Sequence, residues 1–167
     1  MFFGHVLSIW IVVLSGADGP AADPSLAVGG EVERPLRLSA ADLAAMPRQS
    51  VCARDHKGEE ATFEGVAVSE ILKKAGARVG DRLKGEALGD YLVVEASDGY
   101  RAVFALPELD PGFADRVVLL ADRRDGRPMA GTEGPFRVVV PGEKKHARWV
   151  RQVTGLTVRR TPPATPR

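Results

Sequence analysis

The residues best suited to chemistry in this chain lie between positions 134 and 150. A Gly-Pro pair precedes an apolar segment, 136–140, in which Arg137 alternates with Phe136 and Val138. Strand alternation sends Arg137 to the face opposite Phe136, where its guanidinium is available to a phosphate or a carboxylate. A Pro-Gly pair at 141–142 then ends the strand, because proline donates no hydrogen bond to a sheet and glycine permits a sharp turn.

The turn after this strand presents a cluster of basic or titratable side chains: Lys144, Lys145, His146 and Arg148. Such a cluster suits a polyanionic ligand, since each cation can make charge-assisted hydrogen bonds to an anionic oxygen. The alternative is a solvated basic loop that leads into the last strand, with Trp149 packed in the core.

Cys52 is the single cysteine of the chain. With no second cysteine it has no intramolecular disulfide partner, so it is either a small buried hydrophobe or a free thiol. If Val51 faces the core, Cys52 faces the other side of the same strand. The sequence has no spacing typical of a zinc hydrolase, a dithiol redox motif, a serine esterase or a phosphate-binding loop, and we assign no catalytic residue from it.

Charge is unevenly distributed along the 167 residues. The formal net charge is +1, yet residues 141–167 contain seven Lys and Arg against one Glu. The positive field therefore lies at the carboxyl-terminal end, beside the candidate binding turn. Nucleic acid is an unsuitable partner, because the chain has neither an overall basic excess nor a recognisable reader motif.

The first residues resemble a targeting segment. An apolar run at 6–14 is too short to span a bilayer, and small residues follow it at 15–17. We expect a signal peptide at 1–17 with cleavage after Ala17, or after Ala22 as the second choice; an uncleaved anchor and a misassigned start codon are the alternatives. Residues 18–25 are then a disordered leader, and the mature protein is periplasmic or secreted with no stable membrane span.

The remaining sequence predicts one α+β domain of mixed β-sheets with short helices, covering residues 26–160 and followed by a disordered tail at 161–167. Helices are expected at 39–46 and 66–75, the second ending at Gly76. Strands are expected at 26–28, 32–38, 49–55, 61–65, 91–96, 100–106, 117–121, 136–140 and 150–160. A turn at 123–126 is expected to separate the strand at 117–121 from residues 128 and 129.

Several segments, in this order, resemble the molybdopterin-binding oxidoreductase domain of the sulfite oxidase family. They are Gly-Val-x-Val-x-x-Ile-Leu-x-x-Ala-Gly at 65–76, Ser-Asp-Gly-Tyr-x-x-x-Phe at 97–104, Val-Val-Leu-Leu-Ala at 117–121, Gly-Pro-Phe-Arg-Val-Val-Val-Pro-Gly at 134–142 and Arg-Trp-Val at 148–150. The resemblance covers about residues 36–158, and the segment at 134–142 is its most specific part.

The resemblance implies an α+β fold that holds a molybdenum–molybdopterin cofactor, with the Cys52 thiolate on the metal. It places Arg137, Lys145, His146 and Arg148 on the phosphate tail of the pterin. The implied activity is oxo transfer to or from a small substrate, with an envelope electron-transfer partner. The loop at 53–64 is shorter than in catalytic family members, which keeps open a cofactor-free binding or interaction module of the same fold in the cell envelope, with a small anionic ligand.

Overall fold

The computed structural model describes residues 24–129 and 131–162. The expected signal peptide lies outside the described residues, as do all of the expected leader before Pro24 and the tail from residue 163 onward. None of the helices in the described part is long and apolar enough to cross a membrane.

In the described residues, ten strands form one mixed sheet and one antiparallel sheet. The first sheet has the order β2-β1-β10-β5-β6, in which β1 and β10 run parallel and the other pairs are antiparallel. The second has the order β3-β4-β7-β8, with β9 also paired to β7. The strands are β1 (Ser25–Gly30), β2 (Leu36–Ser39), β3 (Arg48–Arg54), β4 (Glu60–Ala67), β5 (Tyr91–Ala96), β6 (Arg101–Ala105), β7 (Leu119–Arg124), β8 (Arg127–Pro128), β9 (Arg137–Val139) and β10 (Val153–Arg159).

Three short α-helices connect these strands in the part of the chain that the structure describes: α1 (Ala40–Ala44), α2 (Val68–Ala75) and α3 (Leu106–Leu109). Ser39 caps α1 through a capping box with Asp42, as expected for a serine three residues before an acidic side chain. Helix α2 buries the predicted apolar stripe and ends at Gly76, whose φ of 77° is the left-handed conformation that glycine favours. The predicted α+β fold of mixed sheets and short helices is confirmed.

One hydrophobic cluster joins the inner faces of both sheets to α2. Its centre on the second sheet is Phe63, which meets Trp149 edge to face with ring centroids 5.6 Å apart. Trp149 is buried, as predicted for a core tryptophan. The two sheets therefore share a core that extends to Trp149, next to the candidate binding turn.

The segment after residue 121 differs from the prediction. Strand β7 continues through Arg124, and the chain turns at Asp125 and Gly126, which both have positive φ. This Asp-Gly turn closes a hairpin with β8. The expected turn at Arg123 and Arg124 is wrong because pairing with β4 extends the strand by three residues beyond the apolar run.

Candidate functional site

The loop between β9 and β10 is anchored at both ends. It turns at Gly142, whose φ is 78°, and residues His146–Arg148 form one turn of 3₁₀ helix. The Trp149 indole Nε1 donates to the Val140 carbonyl over 3.0 Å, and its backbone N–H donates to the His146 carbonyl. We call residues 141–149 the basic loop, and the buried tryptophan fixes it against the core.

His146 connects the basic loop to the edge of the second sheet. Its Nε2 lies 2.8 Å from the carbonyl oxygen of Arg54 at the end of β3. Because Asp55 donates its backbone N–H to Glu59 across the β3–β4 hairpin, the alternation of the ladder turns the Arg54 carbonyl away from β4. His146 therefore sits at the free edge of β3, with its ring packed edge to face on Trp149.

Arg148 is engaged by two carboxylates. Its Nε donates to Glu143 over 2.8 Å and its NH1 donates to Glu108 over 2.9 Å, while the guanidinium lies 4.5 Å from the centre of the Phe104 ring. Burial acts to lower the pKa of Arg148, but the hydrogen bonds to Glu108 and Glu143 outweigh it and the pKa is raised. An anionic ligand would have to displace these carboxylates, so the phosphate-binding role of Arg148 stays a prediction.

Arg137 is buried rather than available at the surface. The residue is 2% exposed, its NH1 donates to Glu133 over 2.8 Å, and its guanidinium packs against the rings of Phe63 and Trp149. Burial lowers the pKa of Arg137, the ion pair with Glu133 offsets part of that effect, and the charge of Arg151 adds to it. The expectation of an accessible guanidinium is wrong, because a carboxylate four residues earlier in the chain covers it.

Lys145 has the surroundings that the sequence predicted. It and Lys144 are exposed on the basic loop, next to His146. Both ammonium groups are open to a ligand that approaches the loop from solvent. Of the four side chains predicted to bind phosphate, Lys145 and His146 thus lie at the surface of the loop, whereas Arg137 and Arg148 are engaged in ion pairs within the protein.

Cys52 is an exposed free thiol. It pairs with Thr62 across β3 and β4, and its Sγ lies 3.6 Å from the Thr62 hydroxyl oxygen. The neighbouring pair is Val51 with Phe63, so Cys52 points to the face opposite Phe63. The interpretation of Cys52 as a small buried hydrophobe is therefore wrong.

Cys52 and the Arg137 guanidinium lie on opposite faces of the second sheet, and His146 meets this sheet at its edge, with its ring on Trp149. The Arg137 guanidinium packs on the Phe63 side, whereas the thiol projects from the other side. Arg54, two residues after Cys52, lies on the same face as the thiol and offers its carbonyl to His146. The candidate site is thus the free edge of β3, where the basic loop meets the Arg54 carbonyl two residues after Cys52.

An arginine that the sequence did not indicate lies beside this site. The Arg124 NH2 donates to Asp55 over 2.7 Å, and its guanidinium lies 5.7 Å from the centre of the Phe63 ring. Burial acts to raise the pKa of Asp55, but hydrogen bonds from Arg124 and from two backbone amides outweigh it and the pKa is lowered. Arg124 was missed because residues 123–126 were assigned to a turn. Extending the strand by three residues, from 121 to 124, would have placed Arg124 opposite Phe63.

Two clefts flank the arginines. One, of about 410 Å³, is lined by Arg124, Asp125, Arg127, Pro128, Met129 and Glu133. Another, of about 450 Å³, includes Thr132, His146, Trp149, Arg151 and Gln152 in its lining. Across the described ranges, no three His, Cys, Asp or Glu side chains converge in a way that could hold a metal ion.

Comparison with solved structures identifies a similar fold in the sulfane dehydrogenase SoxCD from Paracoccus pantotrophus, with a TM-score of 0.65 and 23% sequence identity. The match covers 81% of this chain but 38% of that chain, so the protein spans well under half the length of its structural relative. Comparison with curated proteins finds no match.

Comparison with protein families matches residues 17–166 to the family described as oxidoreductase molybdopterin binding domain. The match includes every strand and helix of the structure, as well as Cys52 and the whole basic loop. The resemblance found in the sequence is confirmed, and the chain belongs to the oxidoreductase molybdopterin-binding domain family.

Proposed function

We propose that this protein is an exported oxidoreductase domain that binds a molybdenum–molybdopterin cofactor at the free edge of β3. The observation that carries the proposal is the position of Cys52, a free and exposed thiol two residues from the point where His146 joins the basic loop to the strand. A thiolate donor and cationic side chains are thereby available along one sheet edge.

The donor set fits this cofactor in kind. A thiolate is a soft ligand that suits molybdenum, and the Cys52 Sγ is exposed, with the Thr62 hydroxyl oxygen at 3.6 Å. Lys145 and His146 can meet a phosphate from the exposed side of the loop. Arg137 could contribute only after Glu133 withdraws, and Arg148 only after Glu108 and Glu143 do.

Each of these residues would have a separate role in binding the cofactor. Cys52 would hold the metal, Lys145 and His146 would neutralise the phosphate, and Trp149 would keep the loop that carries them fixed on the core. When bound, the cofactor supplies two-electron oxo-transfer chemistry to a small substrate. Electrons from such a reaction require a separate acceptor or donor, which we place in the cell envelope because the first residues resemble a signal peptide.

A second candidate is a cofactor-free binding module of the same fold. The ion pairs of Arg137 with Glu133 and of Arg148 with Glu108 and Glu143 favour it, since they satisfy two cations without any ligand. In this case the protein would bind a small anion or an envelope partner and carry out no redox reaction.

The test is the molybdenum and pterin content of protein purified from its native exported compartment. We expect near-stoichiometric molybdenum and pterin in the wild type and loss of molybdenum in Cys52→Ser, because serine lacks the thiolate. Ser50→Ala, on the same face of β3, is the matched control and should retain both. Absence of molybdenum and pterin from the wild type would reject cofactor binding and leave the cofactor-free module.

A further inference from the structure

Glu133 occupies a position that an anionic ligand could take. It lies on the connection between β8 and β9, accepts a hydrogen bond from the Arg137 NH1 at 2.8 Å, and approaches the Arg124 NH1 at 3.8 Å. Its side chain is 26% exposed, whereas that of Arg137 is 3% exposed. Glu133 is therefore the part of this ion pair that solvent reaches, and it covers the guanidinium behind it.

Arg137 retains hydrogen-bonding capacity that the protein does not use. Its Nε is buried and has no hydrogen-bond partner among the described residues. A buried N–H without an acceptor is costly, so an additional acceptor at this point would be favourable. Arg124 and Arg151 both raise the positive potential at Arg137, as their effect on its pKa indicates.

The cleft beside Glu133 can admit a ligand to these cations. Its lining includes Arg124 and Arg127, and its volume of about 410 Å³ leaves room for a small anion. The other acidic residue of the lining, Asp125, is exposed. Its Oδ2 lies 3.6 Å from the Arg124 Nε, and its Oδ1 accepts a hydrogen bond from the backbone N–H of Thr62. Withdrawal of Glu133 would join Arg137 to Arg124 and Arg127 in a single concave surface.

Arg124 and Arg127 line this cleft, and the Arg137 guanidinium lies behind Glu133. Guanidinium groups suit a phosphate, because each presents planar N–H donors that match phosphate oxygens. We propose that the cleft of Arg124, Arg127 and Arg137 is a binding site for a phosphate-bearing anion, and that Glu133 closes the site until the anion displaces it. The inference rests on the proposed function only where the phosphate belongs to a pterin; a free phosphate or diphosphate would bind by the same chemistry.

The connection that carries Glu133 has a suitable pivot. Gly131 has a φ of 60°, and a Cβ at this position would meet no atom within 4 Å. Glycine has the widest choice of backbone conformations, so Gly131 tolerates a rotation that carries Glu133 away from Arg137. This rotation would break the hydrogen bond that the Gly131 carbonyl accepts from the Gln152 side chain over 3.3 Å.

The test is calorimetric titration of the purified full-length protein with inorganic pyrophosphate at low ionic strength. We expect Glu133→Gln to bind pyrophosphate at least about tenfold more tightly than the wild type, because the competing charge is removed while an amide oxygen still accepts from Arg137. Adding Arg127→Gln to that variant should reverse much of the gain.

Glu59→Gln is the matched control, because Glu59 is an exposed carboxylate 3.9 Å from Arg124 that does not cover Arg137. This control should bind pyrophosphate within about twofold of the wild type if the effect is local rather than a change in net charge. Glu133→Asp retains the charge on a shorter side chain and should give an intermediate gain, which keeps the test valid if the glutamine variant does not fold. Equal affinities for the Glu133 and Glu59 variants would overturn the proposal.

Two sources of phosphate are distinguished by assaying pterin in protein from the native compartment. Slower loss of pterin on dialysis from Glu133→Gln than from the wild type identifies the ligand as the cofactor phosphate, whereas tighter pyrophosphate binding with an unchanged rate of pterin loss identifies a free anion. A wild type that holds molybdenum and pterin, with no gain in either assay for Glu133→Gln, would reject this inference and leave the proposed function standing.

Discussion

Cys52 can be changed without disturbing the core, because its thiol lies on the exposed face of an edge strand. We predict that Cys52→Ala changes the free energy of unfolding by no more than about 0.5 kcal/mol, as for other exposed positions. Urea unfolding monitored by Trp fluorescence would measure it. A loss above about 1 kcal/mol would indicate a packed side chain and contradict the exposed position.

At the residue scale, the sequence identified the right types of side chain more reliably than their surroundings. Alternation in the segment 136–140 could not indicate that Glu133 covers Arg137, because that contact depends on how the preceding connection folds back. Likewise, the sequence could not say which face of β3 carries Cys52. The pairing of Val51 with Phe63 across β3 and β4 shows that Cys52 lies on the face opposite Phe63. Partners brought close by the folding of loops, rather than strand alternation, decided which cations are accessible.

At the scale of elements, Gly65 sets the pairing of β4 with β7. A Cβ at this position would lie 2.0 Å from the Leu120 carbonyl oxygen and 2.7 Å from the Ala121 Cα, and the register of the two strands shifts between Glu64 and Gly65. Both atoms belong to the backbone of the neighbouring strand, so neither can move aside by changing a rotamer. The glycine permits the close approach that brings β7, and Arg124 with it, beside Phe63.

We predict that Gly65→Ala destabilises the protein by more than about 2 kcal/mol, because the two strands must separate to accommodate the methyl group. Gly29→Ala is the matched control: Gly29 is also in a strand, and a Cβ there would meet no atom within 4 Å. Its effect should stay within about 0.5 kcal/mol. Thermal or urea unfolding of both variants measures the difference in stability. Equal stabilities would show that β7 can move away from β4 at little energetic cost.

Elements with a strong local signal were predicted well. Apolar spacing and Gly76 defined α2, apart from its first turn, since residues 66 and 67 continue β4. Ser39 and Asp42 defined α1. Strand ends were harder to predict: β7 includes three polar or charged residues after its apolar run, because hydrogen bonding to β4 and β8 continues where the hydrophobic pattern stops.

At the scale of the whole molecule, the basic loop joins the edges of the two sheets. His146 meets the Arg54 carbonyl at the edge strand β3 of the second sheet, and Arg148 meets the Val103 carbonyl at the edge strand β6 of the first. The Tyr100 hydroxyl adds a hydrogen bond to the Ala147 carbonyl over 2.7 Å. The loop that the sequence singled out for binding is therefore also a structural link, and the two roles compete for the same cations.

This link predicts a stability effect at Arg148 that an ordinary surface arginine would not have. Replacing Arg148 with Ala leaves the largely buried Glu143 without its cation, whereas Glu108 keeps Arg116 at 3.5 Å, so we expect a loss of roughly 2 kcal/mol. Arg148→Lys should recover only part of it, because one ammonium cannot span both carboxylates as a guanidinium does. Arg101→Ala, which breaks the exposed pair with Glu95, is the control and should cost less than about 1 kcal/mol.

Hydrogen exchange would show which part of the protein loses stability in Arg148→Ala. The Trp149 amide donates to His146 and the Glu143 amide donates to Val140, so both should exchange faster in Arg148→Ala if the basic loop opens as a unit. The Leu92 and Val94 amides lie inside the first sheet. Their exchange should accelerate only by the amount that the lower free energy of global unfolding explains. Uniform acceleration at all four amides would mean that Arg148 stabilises the whole domain rather than the link, and a phosphate ligand could then engage Arg148 only by unfolding the site.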